Sequence, residues 1–309
     1  MLIRLGYACI SNVLNLSSSK TITLSYYKRI NNKLRKDKIS NIIENNLDSL
    51  CEIIKYNIKN DIHFFRITAK LIPLMDIVDI DLSKYKNKFN YIGKLIRDSN
   101  MRVSTHIDQY CVLNSINNEV VLNSINLLND LVKVMDMFNV KYDLIMHVGS
   151  KSGGIKQSID RFINNFNLLD VKVKRRIVLE NDDKSFNVYQ TLKLCEKLNI
   201  PMCLDIHHHY CNKCSKDICF YIDRIYNTWN NRTCKIHISS MKSKKEYRAH
   251  NNYINYLDFI KLIDIIRNKN INTDIMLEAK EKDIALFKLV MELKYKSDFK
   301  FIDNSSFIV

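Results

Sequence analysis

Short apolar runs recur along the chain, and most of them close on a polar or charged residue. The runs at 3–8, 62–68, 102–106, 144–148, 177–180, 202–205, 235–238 and 274–278 have the length and abrupt ends of buried parallel strands. Between them apolar residues fall at helical spacing, most clearly over 41–56, 120–138, 186–198 and 256–268. The segment 176–209 shows the unit in miniature: two apolar runs, ending in Glu180 and Asp205, flank one amphipathic helix. Eight such alternations in 309 residues predict an α/β chain, a (β/α)8 TIM barrel forming one domain over residues 1–309. A doubly wound open sheet is the competing α/β architecture. The first gap, 12–41, is long, basic and weakly periodic, and is expected to be an elaborated loop on the active face.

The polar ends of the runs carry the chemistry. The third ends in His106, the fourth in His147, the fifth in Glu180, and the sixth in Asp205 with His208 close behind. The seventh holds Lys235 and His237 and is followed by His250, and the eighth ends in Glu278. A barrel brings the C-terminal ends of its strands to one mouth, so these residues would meet there. Imidazoles mixed with carboxylates suit Mn²⁺, Zn²⁺ or Fe²⁺. Taken singly, each is more simply a hydrogen-bonded or salt-bridged structural residue; their conjunction points to a metal site.

Composition narrows the partner. Lys and Arg outnumber Asp and Glu by 48 to 33, a net charge of +15 that favours a polyanion such as nucleic acid. The abundance of Lys, Asn and Ile throughout also fits an AT-rich coding bias. The first residues, MLIRLGYACI, hold too short an apolar run for a signal segment or membrane span, and nine scattered cysteines suggest reduced thiols, so a cytoplasmic, nucleoid-associated protein is expected. A zinc held by Cys211, Cys214 and Cys219 lacks the second CxxC pair that structural sites use. With 5 glycines and 2 prolines, turns must be built largely from Asn, Asp and Ser.

Eight motifs together resemble the UV damage endonucleases. They are RLGYACISN at 4–12, STHIDQY at 104–110, MHVG at 146–149, LENDDK at 179–184, LDIHHHY at 204–210, KIHISSMKS at 235–243, RAH at 248–250 and MLEAKEKD at 276–283. They follow the family's order over nearly the whole chain. The resemblance implies a TIM barrel related to endonuclease IV and the sugar-isomerase barrels. It implies a monomer acting on double-stranded DNA that carries UV photoproducts, nicking immediately 5′ of the lesion to leave a 3′-hydroxyl and a 5′-phosphate. It also implies two or three divalent metal ions, often manganese. His106, His147 and Glu180 would hold one, and Glu180 would bridge to a second held with Asp205, His237 and Glu278. His208 and His250 would hold a third, and Glu180, Lys235 and His237 would form the catalytic group.

By the same resemblance Lys235 is a candidate for carboxylation, which would make it an anionic ligand in place of the aspartate that endonuclease IV has where Arg248 stands. Simple phosphate contact by its ammonium is the alternative. Gln109 and Tyr110 would fill the space left by flipped bases, although Ile107-Asp108 replaces a proline found in relatives, which leaves the loop's rigidity open. Tyr7 and Asn12 are expected to line the damaged-base pocket. Basic runs at 28–38 and 242–248 would contact flanking phosphates. Three rivals remain: an abasic-site endonuclease, a metal-dependent sugar isomerase and a non-catalytic damage-binding protein. The net charge and the Gln109-Tyr110 pair speak against the isomerase.

Overall fold

The computed structural model describes residues 1–309, apart from the side chain of Lys33. Among the described residues, eight parallel strands pair in sequence order: β1 (Leu2–Ala8), β2 (Phe64–Thr68), β3 (Arg102–His106), β4 (Tyr142–His147), β5 (Ile177–Glu180), β6 (Met202–Asp205), β7 (Cys234–Ile238) and β8 (Thr273–Leu277). The last pairs with the first, Ile3 opposite Thr273 and Tyr7 opposite Leu277, which closes the barrel. The expected (β/α)8 architecture is therefore the one found. Helices α1 (Asn32–Lys59), α2 (Lys86–Asp98), α3 (Asn118–Asp136), α4 (Ile155–Asn167), α5 (Val188–Leu198), α6 (Ile206–Cys211), α7 (Cys219–Thr228), α8 (Tyr256–Ile266) and α9 (Lys282–Lys296) follow the strands. None is long and apolar enough to cross a membrane.

Alternation within the strands decides what the barrel encloses. Odd positions of β1 and β2 (Ile3, Leu5, Tyr7, Phe65, Ile67) join the large core between strands and helices. The even positions Ala8 and Phe64 instead pack with Met276 as a separate apolar layer inside the barrel. Gly6 also faces inward, and a Cβ there would lie 2.3 Å from the Phe64 carbonyl oxygen. Only glycine fits between those two strands. Below this layer lie charged residues, and above it the histidines and carboxylates of the mouth.

The gap at 12–41 is more ordered than its weak periodicity predicts. A two-residue hairpin (Ile10–Ser11 with Leu16–Ser17) and a short helix (Leu24–Arg29) lead into α1, which begins nine residues earlier than expected. The extra turns have few apolar residues, and the buried half (Ile39, Ile43, Leu47, Leu50, Ile53, Ile54) nucleates a helix that good helix-forming residues then extend. At about 1.5 Å per residue α1 is ~42 Å long, so its N-terminal turns rise past the mouth of the barrel. Asparagine makes many of the turns, as expected: Asn100, Asn139, Asn199 and Asn270 follow helices with positive φ. At the opposite end the C-terminal hairpin, Lys300–Phe301 and Ser306–Ile308, pairs antiparallel with the lower part of β1.

Candidate active site

Glu180 stands at the end of β5, 1% exposed, with imidazoles converging on it from neighbouring strands. Its Oε2 lies 2.7 Å from His106 Nε2 and 3.7 Å from His147 Nε2. Its Oε1 lies 2.7 Å from His237 Nδ1 and 3.9 Å from His208 Nδ1. Burial would raise the carboxyl pKa, but His237 and His147 outweigh it and hold Glu180 well below the usual carboxylate range. Burial also lowers the pKa of His147, which favours the neutral, ligand-competent imidazole. His106 Nδ1 bonds the Ile107 carbonyl oxygen at 2.8 Å, and His208 Nδ1 bonds that of Asn181 at 3.0 Å. In both rings the carbonyl accepts a proton carried on Nδ1, which leaves Nε2 as the nitrogen that would face an ion.

Two groups of side chains bring their donor atoms within 4.8 Å of one another: His106, His147 and Glu180, and Glu180, Asp205, His237 and Glu278. Among the described residues, buried Asp205 Oδ2 and His147 Nδ1 have no hydrogen-bond partner. Burial, reinforced by Glu180 and Glu278, raises the Asp205 pKa despite His208 nearby. An orphaned carboxylate oxygen amid like charges and imidazoles fits a divalent cation, which would supply the missing counter-charge. The D-x-x-H spacing has a local cause. Asp205 Oδ1 accepts the His208 backbone N–H at 2.7 Å and so caps α6, turning His208 toward the site. His207 lies between Cys211 and the His250 ring, 5.7 Å from the latter, and His209 turns away beside Tyr210. His208 and His250 have ring centroids 6.4 Å apart, with His250 Nδ1 3.8 Å from Glu278 Oε2.

Three residues named from the sequence take other partners in the structure. Lys235 shares the inward face with His237, but two residues earlier on the strand it lies about 6.6 Å lower. There its ammonium pairs with Asp143 and lies 3.9 Å from Asp274, over the rings of Phe64 and Trp229. It joins the charged floor instead of the mouth, and a carboxylated lysine beside those two aspartates would be repelled. Tyr7 is an odd position of β1 and points outward, where its hydroxyl bonds Asn57 of α1 at 2.7 Å. Asn12 is tied to the loop after β8 through Glu281 at 3.1 Å and to the first turn of α9 through Asp283 at 2.8 Å. Cys211 and Cys214 are likewise used separately, since Cys214 Sγ accepts from the Tyr189 N–H at 3.3 Å.

Gln109 and Tyr110 do reach the mouth, where with His106, His147, Glu180 and His208 they line a cavity of about 620 Å³. Tyr110 is 85% exposed, an unusual setting for a large ring. The loop that carries it is anchored without proline. Ile107 is buried and its N–H donates to the Ile145 carbonyl at 3.1 Å, a bond proline could not make. Asp108 pairs with Lys70 at 3.3 Å and accepts the Cys111 N–H at 3.0 Å.

The sequence model of the UV-endonuclease UvdE family matches residues 3–306. A UV DNA damage endonuclease of Bacillus cereus is 35% identical over 301 residues, covering 95% of each chain. This chain belongs to the UV DNA damage endonuclease family. The crystal structure of SacUVDE matches with a TM-score of 0.85 and 31% identity, over 95% of this chain and 98% of that one. Endonuclease IV from Thermus thermophilus shares the fold, with a TM-score of 0.60 at 14% identity over 94% of this chain and 99% of that one.

In this UV DNA damage endonuclease family member, residue-by-residue reading missed Arg66. It projects inward from β2, 8% exposed, and its Nη2 donates to Glu278 Oε1 at 2.6 Å and lies 3.0 Å from His237 Nε2. A charged residue inside the run FFRIT, with the parity of Thr68 and Phe64, was the available signal. The floor was missed too: Arg102 binds Asp274 through two nitrogens, and Arg232 pairs with Asp143.

Proposed function

We propose that this chain is a metal-dependent endonuclease that hydrolyses the DNA phosphodiester immediately 5′ of UV photoproducts and so starts excision repair. The observation that carries this reading is the convergence of His106, His147, Glu180, Asp205, His237 and Glu278 at one enclosed mouth in a member of this family. His106, His147 and Glu180 would hold one divalent ion, and Asp205, His237 and Glu278 a second shared through Glu180. His208 and His250 are candidates for a third. Divalent ions bound there, Mn²⁺ being the preferred candidate, supply an acidified water and neutralise developing phosphate charge. The chain's own part is to fix the ligands. Backbone carbonyls set the His106 and His208 tautomers, and the α6 cap aims His208.

Recognition falls to the rim. Tyr110 and Gln109, exposed on a bonded loop, are suited to stack into a duplex and fill the space of displaced bases. The basic loops would contact flanking phosphates; Lys242 pairs with Glu246 and Arg248 lies 3.5 Å from Asp183, which leaves Lys244 and Lys245 as the exposed cations of that run without an ion pair among the described residues. In the run at 28–38, Arg35 is tied to the Ile30 carbonyl, and the side chain of Lys33 lies outside the described residues. One protein molecule per lesion, acting in the cytoplasm on nucleoid DNA, completes the proposal.

A nicking assay on irradiated, abasic and intact duplexes tests it. Cleavage 5′ of photoproducts is expected with Mn²⁺ and is expected to vanish with chelator, while the chelated protein melts at a lower temperature. Full activity of the chelated protein would sink the metal reading. Cleavage of abasic duplex alone would favour that rival, and turnover of sugar substrates the isomerase. Replacing both Gln109 and Tyr110 by Ala is expected to weaken the preference for irradiated over intact duplex by about 10-fold or more, since base stacking is worth about 1–3 kcal/mol. Competition binding measures it, and unchanged preference would remove the loop from recognition.

A further inference from the structure

Arg66 and a divalent cation would use the same atoms. Its Nη2 donates to Glu278 Oε1 at 2.6 Å and lies within 3.0–3.3 Å of both His237 ring nitrogens. Glu278 and His237 also belong, with Glu180 and Asp205, to the four-residue group whose donor atoms lie within 4.8 Å of one another. A guanidinium stays protonated in proteins, so it cannot make room by losing a proton as a buried lysine can. A cation entering this group must therefore share Glu278 and His237 with Arg66 or take them from it.

Two further observations give the arginine a purpose there. Glu180, Asp205 and Glu278 are three carboxylates in one enclosed space, and the buried Arg66 guanidinium brings a fixed positive charge against one of them, 2.6 Å from Glu278 Oε1. Moreover, Arg66 Nε is buried with no hydrogen-bond partner among the described residues, so its guanidinium is not saturated by its present contacts. We propose that Arg66 is a positioning residue that competes with a divalent ion for Glu278 and His237, and so sets how tightly the Glu180–Asp205–His237–Glu278 group holds metal while keeping its carboxylates balanced when no ion is bound. This rests on the reading that the group binds a divalent ion. Competing ligands are reciprocally coupled: whatever weakens the arginine's hold strengthens that of the metal.

The test needs no DNA. Mn²⁺ is titrated calorimetrically into the full chain after chelator treatment, for wild type, Arg66→Gln and Arg66→Lys. Arg66→Gln is expected to bind the ion about 10-fold more tightly, within the usual range of such couplings, and Arg66→Lys close to wild type. Melting supplies the second readout. Chelated Arg66→Gln should melt below chelated wild type, and saturating Mn²⁺ should reverse that order. Equal or weaker Mn²⁺ binding by Arg66→Gln would overturn the competition and leave the arginine as a support for its ligands. No binding by wild type or either variant would sink the metal reading itself, and the competition with it.

Discussion

Glu180→Gln is expected to abolish nicking while irradiated duplex is still bound. The substitution keeps the side chain's volume but removes the negative charge on which His106, His147, His208 and His237 all converge. It would take a ligand from both proposed ions at once. Loss of groups that merely orient metal ligands already costs about 10–100-fold, so loss of a shared ligand should exceed 100-fold in rate. Binding is expected to survive because Gln109, Tyr110 and the basic loops lie at the rim and do not touch Glu180. Single-turnover cleavage together with fluorescence anisotropy on the same duplex separates the two effects. If binding is lost in step with cleavage, the division between chemistry below and recognition above is wrong.

The largest stability effect is expected at Lys235. The residue is 3% exposed and its ammonium is held by Asp143 at the floor of the barrel, with Asp274 3.9 Å away. Lys235→Met would leave Asp143 to Arg232 and Asp274 to Arg102; breaking a buried pair costs about 3–5 kcal/mol when the partner is left alone, and these arginines put the loss at the low end of that range. Lys235→Glu should be worse, because it adds a third carboxylate where Met adds only apolar volume. That ordering is the reverse of what a carboxylated metal ligand would show. Denaturant unfolding checks it, and the double variant Asp143→Asn with Lys235→Met should recover part of the loss. Burial would raise the Asp143 pKa, but Lys235 and Arg232 outweigh it and lower it. A lowered carboxylate contributes stability at pH values above its unfolded pKa, and that contribution disappears as pH falls through the folded value. The gap between wild type and Lys235→Met should therefore be full at neutral pH and shrink below the ordinary aspartate range. Greater stability for Lys235→Glu than for Lys235→Met would restore the ligand role.

How much of the site was legible can be judged residue by residue. His106, His147, Glu180, Asp205 and Glu278 were found because each ends, or directly follows, an apolar run, and a parallel barrel sends all such ends to one place. His237 was found because parity along β7 is a local property. The same parity rule, applied to β1, would have turned Tyr7 outward, since Ala8 and the close-packed Gly6 take the inward positions. Arg66 was concealed because a charge within an apolar run reads as an interruption until its partners are known.

The sequence by itself therefore determined the eight strand–helix units, the order of the candidate ligands around the mouth and, through its motifs, the family. These depend on periodicity and on which residue closes each strand, both written locally in the chain. Only the tertiary structure decided the heights at which inward side chains meet their partners. Lys235 and His237 share a face, yet one meets Asp143 and Asp274 and the other meets Glu180, because each layer inside the barrel is assembled from strands distant in sequence. Arg66 gained Glu278 as its counter-charge in the same way, across 212 residues of chain. Charge balance in an enclosed space is a property of all the strands together, and no single stretch of sequence carries it.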